Sequence, residues 1–117
     1  EAAGGVARFS FASLCVAALG AHDYLAIARR FHTVVLSGVP VMGPDTRNEA
    51  KRFITLIDAL YDGKVRLVMS AAAEPDDLYR ADGGAGVEGF EFARTASRLH
   101  EMRSASYLAS VEAPPMT

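Results

Sequence analysis

The pattern of apolar and polar positions is clearest between Phe31 and Ala73. Thr33-Val34-Val35-Leu36 is a charge-free, β-branched run that stops at Ser37-Gly38-Val39-Pro40. A run without alternation reads as a strand covered on both faces, as a central parallel strand is. Next, Ala50, Phe53, Ile54, Ile57, Leu60 and Tyr61 recur every three or four residues, which is one apolar stripe on a helix. Asp45 is placed to cap that helix and Gly63 to end it as the residue after its C-cap. Val65-Arg66-Leu67-Val68-Met69 follows as a second strand, ending at Ser70. Strand, helix, strand in this order is a parallel βαβ unit with a right-handed crossover.

Around this unit, Val6–Phe11 alternates apolar with small or polar residues and reads as a half-buried strand. The preceding residues 1–5 are small and expected to fray, and 12–19 is an apolar connector that the pattern assigns to neither helix nor strand. A helix over 21–31 has Asp23 in its first turn and Arg29 and Arg30 in its last. Residues 74–79 predict a short helical turn opened by Pro75. Four glycines between 82 and 89 predict a flexible loop, a last helix is expected over 90–108, and 112–117 is a tail. The expectation is therefore one α/β domain over 1–117, with a small, mainly parallel sheet of about three strands. The crossover helix would cover one face of that sheet, and the first and last helices the remainder.

Composition narrows the function. The 117 residues are half hydrophobic and 22% charged, which is globular. Twelve basic residues against 14 acidic give a net charge of −2, with no basic stripe for nucleic acid. No apolar run reaches the roughly 18 residues of a membrane span. One cysteine, Cys15, cannot form an internal disulfide. Its apolar setting favours an inert buried thiol over a nucleophile. His22, His32 and His100 are too dispersed for a zinc site, so no metal is expected.

No Gly-x-x-x-x-Gly-Lys-Ser/Thr loop is present, and Gly83-Gly84-Ala85-Gly86 lacks its lysine. Ser37-Gly38 and Ser70-Ala71 stand at the strand ends, where a nucleotide-hydrolysing site needs acids. On the last helix Arg94 and Arg98 are four apart, so something acidic should compensate them. Glu91 and Glu101 are the local partners; an anion or an acidic surface is the alternative. Arg52, beside Lys51, and Asp58 read either as solvated, helix-pairing charges or as site residues. The chain starts at Glu1 and runs quickly into strand-like residues, as a piece of a longer protein would.

Several phrases carry a resemblance over residues 8–109. Among them are Phe11-Ala12-Ser13-Leu14-Cys15, Phe31-His32-Thr33-Val34, Gly38-Val39-Pro40 and Glu49-Ala50-Lys51-Arg52-Phe53-Ile54-Thr55-Leu56-Ile57-Asp58. Val65-Arg66-Leu67-Val68 and Arg94-Thr95-Ala96-Ser97-Arg98-Leu99-His100-Glu101-Met102 continue the series. Their order and spacing resemble the C-terminal portion of the AFG-like ATPase family of AAA+ proteins, the ZapE-type cell-division ATPases. The resemblance implies a parent protein that binds and hydrolyses ATP with Mg2+ through Walker motifs in an N-terminal portion this chain lacks. The chain alone would then hold no nucleotide and be inactive.

The same resemblance implies a bacterial cytoplasmic protein linked to cell division, with mitochondrial relatives in eukaryotes. Its partners would be its own N-terminal ATPase core, further copies in a homo-oligomer, or a division-ring protein. Arg52, Asp58, Arg94, Ser97 and Arg98 match the family's C-terminal motifs. Ser70 stands where an AAA+ core has its polar sensor. Arg94 or Arg98 would serve as an arginine finger, with Arg52, Asp58, Ser70 and Ser97 close to nucleotide or interface. The alternative is a non-catalytic module that docks a division-ring or quality-control partner. The Gly-rich stretch 82–89 departs from compact relatives.

Overall fold

The structure is a computed structural model that describes residues 2–3, 5–80 and 86–103. Three parallel strands form its centre: β2 (Val6–Ser10), β3 (Thr33–Val39) and β4 (Arg66–Ala71). A two-residue strand, β1 (Ala2–Ala3), pairs antiparallel with β2, giving the order β1-β2-β3-β4. The α/β class, the parallel sheet and the central place of β3 are as the pattern predicts. The pairing of Ala2 and Ala3 corrects the expectation of a frayed start. The turn that allows it passes through Gly5 at φ +85°, where a Cβ would lie 2.6 Å from the His32 ring. The Gly5 carbonyl accepts from the His32 amide at 3.0 Å, which ties the turn to β3.

Helix α1 (Ala21–Arg30) joins β2 to β3, and α2 (Arg47–Asp62) joins β3 to β4. Both crossovers step the same way across the sheet. Two successive right-handed crossovers in one direction leave both helices on one face. The third helix, α3 (Gly86–Met102), packs on α2 as α1 does. The first and last helices therefore do not cover the second face, contrary to the pattern-based expectation. The core lies entirely under the helices: Ala7, Val34 and Leu36 are fully buried, and Phe9, Leu67 and Met69 pack against the same cluster.

An aromatic ladder runs through this core. Phe53 of α2 is fully buried. Its ring tilts against Phe11 at 6.2 Å and stacks on Phe92 of α3 at 5.8 Å; Phe92 in turn stacks on Tyr79 at 5.6 Å. The ladder joins the end of β2, both C-terminal helices and the segment after β4.

The boundaries deviate where local geometry overrides pattern. The connector after β2 is a π-helical turn, Ala12–Val16. A 3-10 turn, Pro44–Thr46, precedes α2, so Thr46 rather than Asp45 is the N-cap. A 3-10 turn at Pro75–Asp77 follows β4. Of the loop expected at 82–89, residues 86–89 are the first turn of α3 and the others lie outside the described residues. The tail 112–117 also lies outside them.

At the end of α2 the left-handed residue is Lys64, φ 57°, not Gly63, φ −82°. The Val65 amide donates to Leu60 O at 3.0 Å and the Lys64 amide to Tyr61 O at 3.1 Å, the Schellman pattern centred on Lys64. A side chain in that conformation is strained. Lys64→Gly is expected to raise stability by about 0.5–1 kcal/mol, read as a higher urea midpoint with unchanged slope.

Candidate functional site

The carboxyl ends of the parallel strands are the place to look for chemistry in such a sheet. At the end of β3 the register with β4 shifts between Leu36 and Val39. Gly38 makes this irregularity at φ +75°, a conformation that favours glycine, and its amide donates to Ser70 Oγ at 3.0 Å. Ser70 thus braces the backbone of the neighbouring strand. Ser37 is exposed. These donors do not fit a magnesium nucleotide. No carboxylate stands at either strand end, and the Ser70 oxygen is already engaged. Among the described residues no group of three or more His, Cys, Asp or Glu side chains is placed to hold a metal.

Arg52 projects from α2 toward the connector that leaves β2. Its Nη1 donates to Cys15 O at 3.0 Å and, more weakly, to Val16 O at 3.4 Å. Those carbonyls are the last of the π-turn, so the guanidinium satisfies its negative end. Tyr24 of α1 reaches the same turn: its hydroxyl donates to Leu14 O at 2.6 Å while its ring is fully buried. A cavity of about 120 Å³ beside them is lined by Leu19, Tyr24, Lys51, Arg52 and Thr55 among others. Nothing in the sequence pattern linked Arg52 to residues 36 and 37 positions earlier, because that contact depends on how the connector coils.

Cys15 is fully buried, and loss of hydration pushes its thiol up to about 12, against the smaller opposing pull of Arg52. Burial likewise raises Tyr24 to about 12. Both groups are neutral at pH 7, and the thiol-enzyme reading fails on access and ionisation together. Iodoacetamide is expected to label Cys15 in the folded protein far more slowly than after unfolding, at pH 7.5. The fold favours the protonated forms. Their contribution is therefore whole below the ordinary thiol value near 9 and is lost as pH rises toward 12. Stability should fall over that alkaline window.

The C-terminal helix brings two of the sequence candidates together. Arg98 Nη1 pairs with Asp58 Oδ1 of α2, and its guanidinium lies 5.3 Å from the centre of the Tyr61 ring. The compensating acid is thus a residue of the next helix, 40 positions away, and not Glu91 or Glu101. Both side chains of the pair keep about a quarter to a third of their exposure, so the bridge contributes modestly, about 0–1 kcal/mol. Arg94, one turn earlier, is exposed and makes no hydrogen bond or ion pair among the described residues; Ser97 is exposed three positions on. Arg52, Ser70 and the Asp58–Arg98 pair are engaged in three separate contacts, and the structure does not gather them into one site.

Of the histidines, His32 Nδ1 lies 2.8 Å from Thr33 Oγ1, and His100 Nε2 lies 3.2 Å from Asp76 Oδ2. Sequence reasoning also missed a cavity of about 350 Å³ formed by 41–46 and Arg80. Its signal was the Pro- and Gly-rich loop after a parallel strand. No helix among the described residues is long and apolar enough to cross a membrane.

A parallel sheet, strand ends without acids and an exposed arginine beside a paired one define an α/β module. Residues 1–111 match the sequence profile described as AFG1-like ATPase, and the chain belongs to that family. It is 48% identical over 99 residues to the cell division protein ZapE of Escherichia coli K12, covering 85% of this chain and 25% of that protein. It is 38% identical over 132 residues to lactation elevated protein 1 homolog B of Danio rerio, covering 89% of this chain and 26% of that one. The chain thus spans about a quarter of the length of these relatives. No solved structure matches it.

Proposed function

We propose that this chain is the C-terminal companion of the nucleotide core in an ATP-hydrolysing AAA+ protein, a bacterial cytoplasmic protein that acts in cell division. Family membership supports the ATPase, and the name of the Escherichia coli relative supports the process. ATP and Mg2+ are held by polypeptide outside these residues, which accords with strand ends that carry serine and glycine.

The observation that carries the role of this segment is Arg94. It is exposed on α3 while Arg98, one turn away, is held by Asp58. A permanently charged, forked donor on a rigid helix suits a γ-phosphate presented by the core of the same or a neighbouring subunit. Arg98 then orients α3 through α2, and Arg94 acts. The test is ATP turnover by the full-length protein with Arg94→Ala and Arg98→Ala made separately. Wild-type turnover in both variants would end the finger reading.

A further inference from the structure

Among the described residues the sheet is open on one side, and its sequence is not suited to that. On the face opposite the helices, Val6, Thr33 and Arg66 lie in register across the three parallel strands, and Arg8, Val35 and Val68 form the next row. None of the three valines belongs to the core cluster, and Val68 is 52% exposed. Yet β3 carries Val35 between Val34 and Leu36, the unbroken apolar run of a strand covered on both faces. Parallel sheets of this kind occur almost only with both faces covered. A two-sided strand therefore sits in a sheet that has no second layer among the described residues.

We infer that this face, centred on Val35 and Val68, is the docking surface for the rest of the same polypeptide. The inference rests on the reading that the chain is one part of a longer ATPase. The length of the relatives argues for that occupant over a second copy or a foreign protein. About three quarters of each relative lies outside the matched segment. α1 and α2, which join β2 to β3 and β3 to β4, lie on the other side, so neither crossover helix covers it. The rows centre on Val35 and Val68, so the docking element presents an apolar surface. This deepens the proposed function: the sheet joins this segment to its own core, and Arg94, on the helix layer that faces away, is left to reach the nucleotide of a neighbouring subunit.

The experiment uses the full-length protein. Val68→Cys and, as a reference on the helix side, Asp62→Cys are labelled with maleimide, and each site is read by peptide mass spectrometry. Val68→Cys is expected to label about tenfold or more slowly than Asp62→Cys, at every protein concentration. Equal rates would overturn the inference. Protection that disappears on dilution would overturn it too, since a second copy would then be the cover. ATP turnover is not the readout, so failure of the finger reading and failure of this contact are separately visible. Val68→Ser, a milder change at the same position, should leave the protein folded and raise hydrogen exchange in β3 and β4. Unchanged exchange there would count against a packed layer.

Discussion

Replacing Phe53 by alanine should remove about 3–5 kcal/mol of stability. The ring is fully buried at the centre of the ladder Phe11–Phe53–Phe92–Tyr79. Its loss opens a cavity and deletes two aromatic contacts, each worth about 0.5–1.5 kcal/mol beyond area. Neighbours cannot collapse into the gap, because each ring is anchored on a different segment. Domains of this size are stable by about 5–15 kcal/mol, so the variant should lose a large share of its stability. Phe53→Leu keeps most of the volume and should cost clearly less. A urea titration of the protein and both variants checks the order. Equal midpoints for wild type and Phe53→Ala would show that the ladder does not hold α2 and α3 together.

Arg94→Ala should lower ATP turnover of the full-length protein by about 10³-fold or more, within the range for a lost arginine finger. The loss belongs to the transition state, where charge spreads over the transferred phosphoryl oxygens, so ground-state affinity for ATP should change little. Arg94→Lys keeps the charge without the planar fork and should recover only part of the rate. Arg98→Ala should act differently. It frees Asp58 and loosens α3 on α2, so thermal stability falls slightly and turnover falls through misplacement of Arg94.

The alternation of periods over 31–73 was enough to read the βαβ unit, because strands and helices bury different spacings. The helix stripe Ala50 to Tyr61 lies on the core as expected. The coverage of the sheet was not legible from any one segment. It follows from the direction of two crossovers, which only the strand order β2-β3-β4 fixes. The first turn of α3 was hidden by Gly86 and Gly89, whose low helix propensity argues for a loop. At the candidate site the arginines were visible as a charged pair, while the Asp58 partner was not. Helix-to-helix register is set by packing of Phe53 on Phe92, and the two helices are joined by a long stretch of chain. The Arg52 contact depends on a π-turn, for which an apolar run such as Ala12–Val16 carries no signal. The family, by contrast, was readable from short phrases, since nearly half the residues are shared with the Escherichia coli relative.

The central claim is that this segment acts on a nucleotide held elsewhere in the same ATPase. Turnover and ATP affinity of the full-length protein, measured side by side for wild type and Arg94→Ala, test it most directly. The account expects turnover to collapse while affinity stays within about threefold. Turnover equal to wild type at saturating ATP would contradict it.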